Sequence, residues 1–429
     1  MNYQQAVEYI LDIPRFTKKN SLEHTKEFLE YLGNPQEKLK VIHVAGTNGK
    51  GSVCAYVDAM LRAQGKSTGL FTSPHLVRIN ERICIDGEQI TDEEFASVFD
   101  MVMEKVGEME EQGLSHPTFF EFLFGMAATA FVRAGVEYAV LETGLGGRLD
   151  ATNSVERPEC TVITSIGRDH MEWLGSTLSE IAFEKAGIIK PGVPLIFSRS
   201  GDASDRVIEE QAAKKGAPCN KIGKSAFEFA GTFEKRIAFS CINQYYGDTT
   251  WELHNTALYQ AENAMLALEV MRLLFGAEGK LSCWQKALKE VVWQGRMEEV
   301  FPGIYVDGAH NVSAVERFIE TVSAKTGRKA ILFSAVADKE YEEMIARLCG
   351  MENVDFYVVT QIAGGRAADI QELSETFRRL TDRPVIVRKQ LEEALDYVKE
   401  NQKGRTVYCL GSLYLAGMIK EWIQEEVSC

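Results

Sequence analysis

The sequence predicts an α/β fold of largely parallel sheets divided into two domains, on three observations. Strand-like apolar runs alternate with helix-like segments nearly throughout, the pattern of strand–helix–strand crossovers. The length, 429 residues, exceeds what one hydrophobic core usually organises. After a less regular stretch the alternation restarts near residue 296, so a second sheet begins there.

The first strand runs through Val41, Ile42, Val44 and Ala45 and drops into the turn Gly46-Thr-Asn-Gly-Lys50-Gly-Ser52. Residues 55–62 beyond it continue as a helix. Residues 67–72, 138–142, 161–166 and 193–197 form the next four strands. Helices fall between them, notably 119–132 and 177–189, the second opening with Thr177 and Glu180 at the spacing of a capping box. Residues 227–251 alternate apolar and polar positions as antiparallel strands do, and 259–274 is again helical. Trp293-Gln-Gly-Arg296 supplies a glycine hinge, which sets the domains at 1–295 and 296–429. In the second domain, strands at 304–306, 330–333, 356–360, 385–387 and 407–410 alternate with helices, a complete domain of about 130 residues. Neither a solenoid repeat nor a low-complexity tract interrupts the chain.

Composition sets the outer limits. With 45% hydrophobic and 25% charged residues the chain is ordinary and globular. Forty-seven basic against 62 acidic residues give a net charge of −15, which argues against a general nucleic-acid or membrane-surface binder. The nine cysteines, at 54, 84, 160, 219, 241, 283, 349, 409 and 429, form no CxxC pair and read as reduced thiols. The N-terminus lacks a basic segment followed by an apolar core, and no window approaches a membrane span. These features predict a soluble, cytoplasmic protein.

The first turn is a phosphate cradle. Glycines at 46, 49 and 51 let backbone N–H groups converge on an anion at the positive end of a helix. Lys50 adds a mobile point charge, and Ser52 offers a hydroxyl to a phosphate-bound Mg²⁺. The spacing departs from the common nucleotide loop: only two residues separate Gly46 from Gly49, and a glycine lies between Lys50 and Ser52. A glycine-rich turn without ligand is the plainer alternative.

Ligands of open parallel sheets collect beyond the carboxyl ends of the strands. Those ends are polar here: Thr72-Ser73-Pro74-His75, Glu142 to Asp150, and Gly167-Arg-Asp169-His170. Hard oxygens at Ser52, Ser73 and Glu142 suit Mg²⁺. Glu142 is otherwise a capped strand end facing water, and His170 either touches the metal or serves as a hydrogen-bonding group. Gly144-Leu-Gly-Gly147 fails as a dinucleotide fingerprint, because the position five after Gly144 is Leu149. Lys185, flanked by Ala182, Phe183, Ala186 and Ile188, either snorkels to water or has a depressed pKa or a chemically neutralised amine. A second rim follows the later strands: Asp307-Gly-Ala-His310-Asn311, Asp338-Lys339 and Gly411-Ser412-Leu-Tyr414. Two rims on two domains suggest a cleft with a nucleotide on one side and a co-substrate on the other.

In order from about residue 40 to 417 stand GTNGKGS, FTSPHL with NERI, ETGLGGRLDATN, SIGRDHMEWLG, EKAGIIKPG, QAENAMLAL, WQGRME, DGAHN and GSLYLAG. Taken together they resemble the folylpolyglutamate synthase and dihydrofolate synthase family, a branch of the Mur ligases. The resemblance implies a P-loop-type Mur ligase ATPase domain followed by a smaller Rossmann-like domain. It implies that MgATP phosphorylates a carboxylate and that the amine of L-glutamate, or of the first glutamate on dihydropteroate, displaces phosphate.

By position, Asn48, Gly49, Lys50 and Gly51 would hold ATP phosphates, with Ser52 beside the metal. Ser73, Glu142 and His170 match the Mg²⁺ ligands, two ions in all, and Lys185 matches a carbamylated lysine. Lys50, Lys185 and His310 are the implied catalytic groups. Asn263, Arg296 and Asp307 would reach ATP. Phe120, Glu121 and Asp150 fall at folate contacts, and His310 and Ser412 would orient the acyl phosphate or the incoming glutamate. The implied partners are small molecules (reduced folate or dihydropteroate, L-glutamate and ATP) with no nucleic acid and no membrane, acting on a monomer. Gln294 replaces a usual proline, Ser334 and Glu340 replace a glycine and an aspartate, and Phe124 stands where many relatives carry a small or hydroxylated residue. A different Mur-type ligase is the alternative within the fold, and an ATP-driven conformational switch is the alternative outside it; carboxylate-dependent ADP release separates the two classes.

Overall fold

The computed structural model describes residues 1–13, 21–233 and 235–428; Cys429 lies outside them. Eight strands form the larger sheet: β1 (Lys40–Ala45), β2 (Thr68–Phe71), β3 (Ile83–Ile85), β4 (Glu88–Gln89), β5 (Tyr138–Glu142), β6 (Cys160–Ile163), β7 (Leu195–Ser198) and β8 (Cys219–Ile222). Their order is β4-β3-β2-β5-β1-β6-β7-β8. In that order every pairing from β2 to β8 is parallel, and the two pairings at the other edge, β2–β3 and β3–β4, are antiparallel. β1 lies between β5 and β6, with Val44 beside Glu142 and Ala45 beside Ile163, so three strand ends share one rim.

β9 (Phe227–Phe233), β10 (Arg236–Cys241) and β11 (Thr250–Leu253) make the expected antiparallel sheet. β12 (Glu298–Phe301), β13 (Ile304–Val306), β14 (Lys329–Phe333), β15 (Val354–Val359), β16 (Val385–Val387) and β17 (Thr406–Leu410) form the second large sheet, ordered β12-β13-β17-β14-β15-β16. All its pairings but β12–β13 are parallel.

Burial explains the rigid seat of the first turn. The helix Lys50–Gln64 is buried along most of its length. Val53, Val57 and Met60 share a core with Val44 of β1, Met265 of the helix Tyr259–Phe275 and Trp284. The opposite face of the sheet is covered by Phe122 and Phe131 of the helix Phe119–Ala134, packed with Phe28, Phe71 and Phe99. A fully buried side chain of this size contributes roughly 1.5–3 kcal/mol. The helix therefore begins at Lys50, five residues earlier than its composition suggests: Gly51 and Ser52 are poor helix formers alone, but packing from Val53 onward fixes the first turn. Among the described residues every cysteine is free, and no helix is long and apolar enough to cross a membrane.

Candidate active site

Two glycines make the turn after β1 possible. Gly46 has φ +150°, and a Cβ there would lie 2.9 Å from Thr164 Cβ. Gly49, the residue preceding the helix, has φ +91°, and its Cβ would press to 3.1 Å from Asn263 Cγ. The turn is tied to the next strand end: Thr47 N donates to Ser165 O at 2.8 Å, and Thr164 Oγ1 donates to Asn48 O at 2.7 Å. The N-terminal N–H groups of a long buried helix thus open into a cavity lined by Asn48 to Ser52.

The same cavity is lined by Ser73, Glu142, His170 and Lys185 from the first sheet, by Asn263, and by Arg296, Asp307 and His310 from the second. Every predicted phosphate, metal and catalytic position is therefore brought together. Glu142 is 4% exposed. Its Oε2 accepts from Ser73 N at 2.9 Å, and Lys50 Nζ stands 3.8 Å from Oε1. Burial pushes its carboxyl above the ordinary value, although Lys50 and the Ser73 N–H pull it down. His170 is pushed down to about 4, chiefly by burial, so its imidazole is neutral and free to offer a lone pair. No three His, Cys, Asp or Glu side chains cluster as a metal site among the described residues. Hydroxyls at Ser52 and Ser73, one carboxylate and one neutral imidazole fit a Mg²⁺ whose remaining ligands are phosphate oxygens and water.

Lys185 is 4% exposed and does not snorkel. Its Nζ donates to Gly46 O at 2.8 Å, under the phosphate turn. Burial, with Lys50 nearby, pushes its ammonium down to about 7. The shift favours the neutral amine, the form that captures CO₂.

On the opposite wall, Asp307 accepts from Tyr259 O–H at 2.7 Å, Met297 N at 3.0 Å and Ala309 N at 2.8 Å. Burial outweighs Arg296 and these donors and raises its carboxyl. His310 Nδ1 donates to Gly308 O at 2.7 Å, and its Nε2 lies 3.6 Å from Asp169 Oδ2.

Four predicted residues do not line this cavity. Phe120 rests on Gly144, whose Cβ would sit 2.7 Å from Phe120 Cζ. Glu121 accepts from Thr118 N at 2.7 Å and Thr25 Oγ1 at 2.6 Å, capping its own helix. Asp150 Oδ2 accepts from Gly144 N at 2.9 Å and Leu145 N at 2.8 Å, stapling the loop after β5. Ser412 Oγ accepts from Tyr414 N at 3.1 Å at a helix start. Phe124 is fully buried, its ring 5.9 Å from that of Phe71.

The structure adds residues that carried no prediction. Gln260 Nε2 donates to Ser52 Oγ at 3.2 Å while its Oε1 accepts from Asn263, so one buried amide aligns both. Glu262 and Arg317 line the cavity as a pair at 3.0 Å. Trp293 lies over the turn, where a Cβ at Gly51 would come 2.9 Å from its ring. The QAENA and WQGR segments contain Gln260, Glu262 and Trp293, and Arg317 lies in the helix Val312–Ser323, but spacing alone does not show what they face.

Residues 44–271 match the Mur ligase middle domain, and residues 295–413 match the Mur ligase, glutamate ligase domain. The chain is 34% identical to the dihydrofolate synthase/folylpolyglutamate synthase of Bacillus subtilis, with 98% of each chain covered. The folylpolyglutamate synthase of Mycobacterium tuberculosis complexed with ADP and AMPPCP superposes with a TM-score of 0.89 at 28% identity, covering 98% of this chain and 99% of that one. E. coli FolC in complex with DHPP and ADP gives 0.85 at 27% identity, over 99% and 98%.

Proposed function

Since the chain belongs to the folylpolyglutamate synthase and dihydrofolate synthase family of Mur ligases, we propose that it joins L-glutamate to reduced folates at the expense of ATP. The observation that carries this is the single cavity in which the phosphate turn of one sheet faces Arg296, Asp307 and His310 of the other. In the reaction a carboxylate oxygen of the folate attacks the γ-phosphorus and ADP leaves. The glutamate amine then attacks the acyl carbon, phosphate leaves and the nitrogen loses a proton. A bound Mg²⁺ neutralises phosphoryl charge; Ser52, Ser73, Glu142 and His170 would hold two such ions together with phosphate oxygens. Around them, the turn N–H groups and Lys50 offset charge on the migrating group. Asn263 and Gln260 hold the turn in place, and Asp307, with Arg296 beside it, meets the nucleotide from the far wall. Bringing carboxylate and amine together in one cleft removes much of the entropic barrier.

Lys185 is read as the site of a carbamate, in which the neutral amine adds CO₂ and releases a proton. Its depressed pKa and seat beneath Gly46 support this. Phe120, Glu121, Asp150 and Ser412 act from behind the cavity wall, through the loops and helix starts they hold. The domain break falls at Gly295, whose φ is +65° and whose carbonyl accepts from Gly308 N at 2.7 Å. A monomeric, cytoplasmic protein fits the free cysteines.

Folate labelled with ¹⁸O in the reacting carboxylate tests the acyl phosphate. One label appears in the released phosphate if that intermediate forms; glutamylated product with wholly unlabelled phosphate overturns it.

A further inference from the structure

The two sheets are joined across the cleft at a point the reaction outlined above does not use. Asp169, in the loop after β6, forms a buried ion pair with Lys339, from the loop after β14; the two side chains are 6% and 7% exposed. The same carboxylate accepts from Asn311 Nδ2 at 3.0 Å and lies 3.6 Å from His310 Nε2. Asn311 also exchanges amide hydrogen bonds with Asn48 of the phosphate turn, at 3.0 and 3.1 Å, and its Oδ1 caps the helix Val312–Ser323 by accepting from Ala314 N at 2.9 Å. Beside them Gly167 receives the Ser313 side chain: a Cβ at 167 would lie 2.9 Å from Ser313 Cβ. One carboxylate of the first sheet therefore gathers three groups of the second, next to a glycine that permits the approach.

We propose that Asp169 is a positioning residue for ligation: it fixes His310, Asn311 and Lys339 against the loop that carries His170, so the amine side of the cleft is assembled only when the phosphate side is in place. Three features favour this over a simple structural tie. The contact is polar throughout, and a merely cohesive interface buries apolar surface more cheaply. It lies in the cavity wall, since Asp169 and His310 both line the cleft. Through Asn311 it is linked to the phosphate turn itself. Displacement of about 1 Å in such a constellation is enough to lower a rate about a hundredfold.

The assignment rests on the ligase reading, so its first test needs no turnover. Hydrogen exchange is followed in the full chain, comparing wild type with Asp169→Asn. Amides at 309–314 and 336–340 are expected to exchange at least about tenfold faster in the variant, although the substitution lies on the other sheet, while the helix interior at 53–64 is unchanged. Unchanged protection in both segments overturns the proposal. Gly167→Ala, which adds a methyl against Ser313, should release the same amides and keeps the test open if Asp169→Asn does not fold; no release there overturns it too.

In turnover, Asp169→Asn is expected to lower kcat about thirtyfold with KM for MgATP within about twofold. Asp169→Glu should keep more activity than Asp169→Asn, and adding Lys339→Met to Asp169→Asn should cost less than about a further threefold. Multiplying losses, or a change confined to the KM for ATP, contradict the assignment. Absent wild-type turnover defeats the ligase reading alone, and the exchange data still decide the role of Asp169.

Discussion

Lys185→Met should stabilise the protein at pH 7 and destabilise it at pH 10. The wild-type ammonium has its pKa lowered from 10.5 to about 7 by burial. Between those values the unfolded chain binds more protons than the folded one, so wild-type stability rises with pH through this window. At pH 7 the depressed lysine costs folding about 4 kcal/mol; at pH 10 the cost has shrunk to about 1 kcal/mol. Methionine removes the charge but also the hydrogen bond of 2.8 Å to Gly46 O. Leaving that carbonyl unpaired costs about 1–3 kcal/mol. The net effect is a gain of about 1–3 kcal/mol at pH 7 and a small loss at pH 10. Urea midpoints of variant and wild type, taken at both pH values under CO₂-free nitrogen so that no carbamate forms, read the difference directly. Equal midpoint differences at the two pH values would mean that the amine reaches water and that its environment does not shift it. Stability stored as a cost at one functional side chain is the expected signature of a site built for chemistry.

Other expectations follow from the same geometry. Lys185→Ala should lose most activity and partly recover it with a small added carboxylate such as formate; unchanged activity in the alanine variant refutes a role for this lysine. Glu142→Ala should abolish Mg²⁺-dependent turnover, with a fall of at least about a hundredfold in kcat, while the protein stays folded, because relief of the buried carboxylate offsets the Ser73 N–H left without its acceptor. Wild-type turnover in that variant would place the metal elsewhere. Gly49→Ala forces a side chain onto φ +91° and against Asn263, so it should cost about 1–3 kcal/mol and raise the Kd for a fluorescent ADP analogue. Unaltered affinity would show that the turn does not hold the nucleotide.

Much of this molecule was legible from the chain. β5, β13 and β16 fall on the expected residues, because each is a short apolar run bounded by turn formers. The capping box at Thr177 and Glu180 is present, with Thr177 Oγ1 accepting from Glu180 N at 3.2 Å. β8 and β12 lack a clear signal because they are edge strands: β8 is exposed at Cys219 and Lys221 and buried only at Ile222, and Glu298–Phe301 is half-buried along its whole length. Neither presents the apolar face that marks a strand.

The site divided along similar lines. Residues at or just after the end of a parallel strand gather on one rim of their own sheet, Ser52 (through its helix), Glu142 and His170 on the first and Asp307 and His310 on the second, because register aligns the strand ends within each sheet. Glu121 and Asp150 are bound into local backbone contacts, and the Thr118–Glu121 spacing is itself a capping box. Asp169 and Lys339 lie far apart in the chain, 170 positions, so nothing in their local sequence announces the pair.

The central claim is tested most directly by ADP release from the purified protein with MgATP and L-glutamate, with reduced folate or dihydropteroate as acceptor. Release that depends on both glutamate and acceptor, matched by glutamyl product, is the expected result; release with folate alone marks a dedicated polyglutamate synthase, and release with both marks a bifunctional one. ADP release indifferent to any carboxylate acceptor would contradict the ligase account and favour an ATP-driven conformational switch.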